Sequence, residues 1–216
     1  MFLVTDLEST SLRPASAEIL TADFILMDNS FNVIESKGFK FKPRIWGSDA
    51  EGASAIHGIS REEAYSFSPY KDEMDRMFNW LLNGKNNHLI FHANRQNNTS
   101  YDAAILRFHA LDNGYYFDFG QCFPESKYLS THSIAKYLGI GSKLNLKSLC
   151  NYFNLGEFNH HNSEEDCIMT HKLFMKMIND INIPEFLEWE NWAKKGIQNE
   201  RHERASSKLK KIQPTV

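Results

Sequence analysis

Two β-rich stretches near the start of the chain, EILTADFILMD (18–28) and NVIESKGFKFK (32–42), are separated only by a short turn at Asn29-Ser30. Runs of branched and aromatic residues bounded by turn formers read as paired strands. This hairpin leads off an apolar first strand at residues 2–5 that turns acidic, so the first forty residues commit to sheet. Beyond the hairpin, helical and strand patterns alternate. Ser60 and Glu63 form a capping box for a short helix. Ser68 and Pro69 open a helix whose stripe is Met74, Met77, Phe78, Leu81 and Leu82, with Gly84 where it should stop. HLIFHA (88–93) reads as a buried strand, DAAILRFHAL (102–111) as a helix ending near Gly114, and YYFDFG (115–120) as a further strand. THSIAKYLG (131–139) and LNLKSLCNYF (144–153) read as helices, another helix opens at Ser163, and Pro184 starts the last. Early strands followed by alternating strands and helices predict an α/β domain with a mixed sheet.

A chain of 216 residues with 42% hydrophobic content can bury a core of its own. Cys122, Cys150 and Cys167 lie too far apart for a disulfide framework or a zinc pattern, which suits a reducing interior. No stretch is long and apolar enough to span a bilayer, and the N-terminus lacks the basic start of a leader. The expectation is a cytoplasmic protein that engages no membrane. Net charge is −3, yet residues 194–216 carry seven Lys or Arg against Glu200 and Glu203. That tail is +5 and the remainder −8, so the expected organisation is a domain over 1–180 and a C-terminal helix with a basic tail over 181–216. Such a tail suits nucleic acid or a protein partner.

The carboxylates are the informative residues. Asp6 and Glu8 sit two positions apart on the first strand, hence on one face and roughly 7 Å apart along it. Like charges so placed repel unless a cation lies between them. Asp102 follows Ser100 at a helix start just after a strand, where ligands gather in α/β sheets. In HHNSEED (160–166), Ser163 and the acids behind it make an ordinary helix start. Helical phase nevertheless separates those acids: Asp166 shares a stripe with Met169, Thr170, Leu173, Phe174 and Met177, whereas Glu164 and Glu165 fall with His171, Lys172 and Lys176. An inward carboxylate with no Lys or Arg on its face calls for a cation, and four hard oxygen donors suit Mg²⁺ or Mn²⁺.

These residues also carry a resemblance. DLESTSL (6–12) resembles the D-x-E-T-T-G-L motif of the DEDDh, or DnaQ-like, 3′-to-5′ exonucleases, and AIHGIS (55–60) is similar to the segment that follows the early strands there. NTSYD (98–102) matches N-x-x-[FY]-D, and HNSEED (161–166) matches H-x-x-x-x-D, all in order across residues 2–178. The resemblance implies a ribonuclease-H-like mixed five-stranded sheet flanked by helices on both faces. It also implies removal of nucleoside 5′-monophosphates from nucleic-acid 3′ ends, with single-stranded DNA favoured, by a two-metal mechanism using Mg²⁺ or, in its place, Mn²⁺. In that reading Asp6 bridges two ions, Glu8 and Asp166 complete the first shell, Asp102 holds the second ion, and His161 is the general base. His160, five positions before the outward Glu165, is read as a loop residue. Leu7, Leu12, His57, Ile59, Asn98 and Tyr101 are implied on the substrate side.

Three departures stand out: Ser11 in place of a glycine, a polar stretch between His92 and Asn98, and Ser130-Thr131 in place of Asp-Thr. An exoribonuclease or oligoribonuclease, a polymerase-associated proofreading subunit docked through the tail, and a non-catalytic nucleic-acid-binding domain remain open alternatives.

Overall fold

The apolar opening becomes strand β1 (Phe2–Ser9) in the computed structural model, in which residues 1–83, 87–93 and 100–193 are described. β2 (Ile19–Met27) and β3 (Val33–Lys40) follow as the expected antiparallel hairpin. β4 (His88–Phe91) and β5 (Tyr128–Ser130) add to the other side of β1 in parallel, giving one mixed five-stranded sheet of order β3-β2-β1-β4-β5. The central strand is thus the one that carries Asp6 and Glu8.

The helices are α1 (Ala50–His57), α2 (Arg61–Tyr65), α3 (Tyr70–Leu81), α4 (Tyr101–Asp112), α5 (Tyr116–Cys122), α6 (Thr131–Tyr137), α7 (Leu146–Tyr152) and α8 (Ser163–Met177), with a further one, α9, over 183–193. They cover both faces. Alternation along β1 sends Leu3 and Leu7 into a core with α3, α4 and α5, and Phe2 and Val4 into a second core with α6, α7 and α8. Asp6 and Glu8 continue the even-numbered series and therefore leave the sheet on the α8 side. On that side Leu173, Phe174 and Met177 are fully buried, each contributing about 1.5–3 kcal/mol of burial free energy.

Two elements differ from expectation. The segment 115–120 is not a strand: Gly114 at φ 81° turns the chain, and α5 follows, because Phe119 and Cys122 bury against Phe78 and Phe123. Aromatic residues favour strands only where a pleated surface receives them, and here a helical face does. The remaining strand is β5, three residues long and too short to read in sequence. Among the described residues, no helix is long and apolar enough to cross a membrane.

Candidate active site

Three carboxylates meet at the end of β1. Ligand oxygens of Asp6, Glu8 and Asp166 all lie within 4.8 Å of one another, the first two from the central strand and the third from the first turns of α8. Asp102 approaches from the opposite layer at the start of α4, whose Ser100 accepts a hydrogen bond from the Ala103 N–H. It stands outside the three-carboxylate set. The folded chain thus brings Asp6, Glu8 and Asp166 together, and Asp102 is near enough for its charge to bear on Asp6 and Glu8.

Crowding such charges away from water is costly, and their protonation records it. Burial, then Asp102, Asp166, Glu8 and Asp23, push Asp6 well above the ordinary carboxylate range. Burial followed by the charges of Asp166 and Asp102 raises Glu8 to about 8. Asp102 is raised to about 7 by burial, against the lowering effect of its own backbone N–H at the helix start. Among the described residues, no Lys or Arg enters these three balances. A divalent cation would relieve the repulsion, and the donors of Asp6, Glu8 and Asp166 are all hard oxygen, which fits Mg²⁺ or Mn²⁺; Asp166 is shared with a second set in which ring nitrogens of His160 and His161 lie within 4.8 Å of it.

The two histidines sort differently from the expectation that His160 is a bystander. His160 Nδ1 lies 2.9 Å from one Asp166 oxygen and 3.1 Å from the other, while the His161 backbone N–H donates to Asp166 at 2.9 Å. The imidazole of His161 lines the cleft that Glu8 also borders. Helical phase governs α8 but not the two residues before it. His161 is left-handed at φ 69°, which brings both side chains to one side, their rings stacked at 4.0 Å. Burial first, then the neighbouring His160, lower the His161 pKa, which keeps the ring neutral near pH 7.

The loop after β1 is tied down by the second motif. Tyr101 Oη meets Ser9 Oγ at 2.6 Å and donates to the Ser11 carbonyl. Ser11 needs no glycine-like backbone: it has no positive φ, and its hydroxyl donates to Asp49 while accepting from the Arg13 N–H. Leu12 beyond it is 73% exposed. His57 and Ile59 line the same cleft, of about 490 Å³, as Glu8 and His161.

Leu7 does not belong with them: its side chain turns to the opposite face and is buried in the α3–α4 core. Asn98 lies outside the described residues, as do the basic tail and Gly84. The Ser130 substitution is explained by its bonds, since Ser130 Oγ caps α6 through the Ser133 N–H and donates to the Ala93 carbonyl. Thr131 bonds His92 Nδ1 at 2.8 Å, and burial lowers that histidine to about 3. One carboxylate escaped the sequence reading. Asp23 sits on β2 directly opposite Asp6 and lines the cleft. Its signal was a lone acid inside the apolar run ILTADFILM.

No family model and no curated protein sequence matches the chain. Solved structures do. E. coli exonuclease I in complex with a dT13 oligonucleotide superimposes with a TM-score of 0.70 at 20% identity, covering 87% of this chain and 42% of that one. Its complex with dA16 gives 0.70 at 21%, with the same coverage. A zinc-bound form of the exonuclease I–single-stranded DNA complex gives 0.70 at 20%, again 87% and 42%. This chain therefore has a ribonuclease-H-like fold shared with exonuclease I, and it spans a little over two fifths of that protein's length.

Proposed function

We propose that the chain is a metal-dependent 3′-to-5′ exonuclease that hydrolyses the terminal phosphodiester of nucleic acid, single-stranded DNA favoured, and releases nucleoside 5′-monophosphates. The observation that carries this reading is the convergence of Asp6, Glu8 and Asp166 within 4.8 Å, with Asp102 alongside and, among the described residues, no Lys or Arg acting on Asp6, Glu8 or Asp102. The 3′ direction rests on the resemblance of the four motifs in their order. The choice of single-stranded DNA is supported by the exonuclease I complexes that share the fold.

Two Mg²⁺ ions held by these carboxylates would stabilise the attacking and leaving oxygens of an in-line displacement on phosphorus. Asp6, Glu8 and Asp166 would hold one ion, and Asp102, with Asp6 shared as the motif resemblance implies, would hold the other. His161 accepts the proton of the attacking water. Its imidazole is neutral near pH 7 and opens on the cleft, which is what a general base requires. Tyr101 holds the loop that presents Leu12, and Leu12, His57 and Ile59 contact the terminal nucleotide.

The test is degradation of 5′-labelled single-stranded DNA, duplex DNA and RNA, with and without Mg²⁺. Shortening from the 3′ end that needs Mg²⁺ and disappears in Asp6→Ala is expected, fastest on single-stranded DNA. Faster loss of RNA would assign the ribonuclease alternative, and intact substrates throughout would overturn the reading.

A further inference from the structure

A half-buried carboxylate beside the cluster, which the proposed chemistry does not use, is Asp23, and its surroundings are specific. β1 and β2 pair Asp6 with Asp23 and Glu8 with Thr21, and β2 and β3 pair Asp23 with Gly38. Asp23 thus stands in one cross-strand row with Asp6, on the face that α8 covers. Ser163, the first residue of α8 and itself buried, reaches down to this row. Its hydroxyl donates to Asp23 Oδ2 at 2.5 Å and lies 2.7 Å from the Thr21 hydroxyl, which can donate to it in turn. On the other side of Asp23 is Gly38. A Cβ at that position would overlap Asp23 Oδ1, so only a glycine leaves the carboxylate where it is. Gly38 has no positive φ that would demand glycine for the backbone's sake.

We propose that Asp23, Ser163, Thr21 and Gly38 form a latch that positions the first turn of α8, and with it His161 and Asp166, against Asp6 and Glu8. The proposal rests on the nuclease reading and adds positioning residues to it. The physical need is plain. Asp166 enters a space already holding two carboxylates, and mutual repulsion drives the start of α8 away from β1. The next side-chain tie along the helix, Cys167 Sγ to the Val4 carbonyl, is a weak sulfur bond at 3.8 Å. Ser163 lies two residues after His161 and three before Asp166, so a bond to β2 at this point fixes both. At 2.5 Å the hydrogen bond is at the short end for a hydroxyl donor. Asp23 also adds negative charge beside Asp6, but the latch needs only its oxygen as acceptor.

Four variants and one double variant separate the latch from charge and from stability. Mn²⁺ binding by calorimetry, kcat and KM on single-stranded DNA with Mg²⁺, and Tm are measured for each. Ser163→Ala, Asp23→Ala and Gly38→Ala are expected to bind Mn²⁺ about 10-fold more weakly and to lose about 10-fold in kcat, as outer partners of metal ligands do, with KM little changed. Asp23→Asn keeps an acceptor for Ser163 and is expected to stay within about 2-fold of wild type. Gly38→Ala introduced into Asp23→Ala should add nothing, because the atom it displaces is gone. Folded Ser163→Ala and Asp23→Ala proteins with unchanged Mn²⁺ affinity and kcat would overturn the latch, and so would Asp23→Asn as impaired as Asp23→Ala. Should the alanine variants unfold, Asp23→Asn still decides, since a loss of about 10-fold or more in its Mn²⁺ affinity and kcat overturns the latch. A wild-type chain that neither binds Mn²⁺ nor degrades DNA overturns the nuclease reading and the latch with it. Activity in wild type matched by every variant overturns the latch alone.

Discussion

Two adjacent histidines of identical chemistry meet different surroundings. His161 opens on the cleft, whereas His160 sets its Nδ1 against Asp166. The same substitution should therefore fail in different ways. His161→Ala is expected to keep Mn²⁺ affinity while kcat falls by about 100-fold or more, the size of a general-base contribution. His160→Ala should weaken Mn²⁺ binding by about 10-fold, because Asp166 loses the group that orients it. Calorimetry and steady-state kinetics on the two variants separate them, and equal metal defects in both would exclude the assignment of roles. Motif and helical phase picked out His161 and Asp166 from sequence. The contact of His160 was not legible there, because it depends on a left-handed turn at His161 that precedes the helix.

Among the elements, the loop after β1 and the cap of α6 carry the departures from the family pattern. Tyr101 ties that loop at Ser9 and Ser11, so Tyr101→Phe releases Leu12 while leaving the carboxylates alone. The expected result is a KM for oligonucleotide raised about 2- to 10-fold, the worth of one hydrogen bond, with kcat preserved. A fall in kcat at constant KM would contradict it. Ser130 both caps α6 and closes onto Ala93. Losing a cap costs about 1 kcal/mol, so Ser130→Ala should lower Tm by roughly 2–4 °C in a thermal melt. Helix boundaries were legible where caps and stripes coincide, as at Ser60–Glu63 and along Met74, Met77, Phe78 and Leu81. α5 was not, since its aromatic sequence carries strand propensity and only the core it meets makes it helical.

At the scale of the whole molecule, the carboxylate cluster couples stability to pH and to metal. Glu8 and Asp102 are raised to about 8 and about 7, above the ordinary values near 4 of the unfolded chain. The folded state therefore holds protons that the unfolded state releases, and the metal-free protein should lose stability as pH rises from about 4 to about 8. Its Tm is expected to fall across that window and level off above it. Mg²⁺ binds the ionised form, so saturating metal should remove the decline. At 100 times its Kd, one ion adds about 2.7 kcal/mol, or roughly 5–10 °C at pH 8. A Tm that ignores both pH and Mg²⁺ would remove the cation site.

The sequence by itself determined which residues can be strand and which helical stripe faces inward, and it singled out four acids by their chemistry and, through the motif resemblance, His161. Those properties depend on alternation, helical period and residue chemistry, all local to a few positions. Only the tertiary structure decided that His160 touches Asp166, that Leu7 is core, that Ser130 caps α6, and that Asp23, Ser163 and Gly38 share one point. Each of these is a contact between segments distant in the chain or a turn without periodicity. Their geometry is set by how α8 packs on the sheet and how β2 and β3 register beside β1.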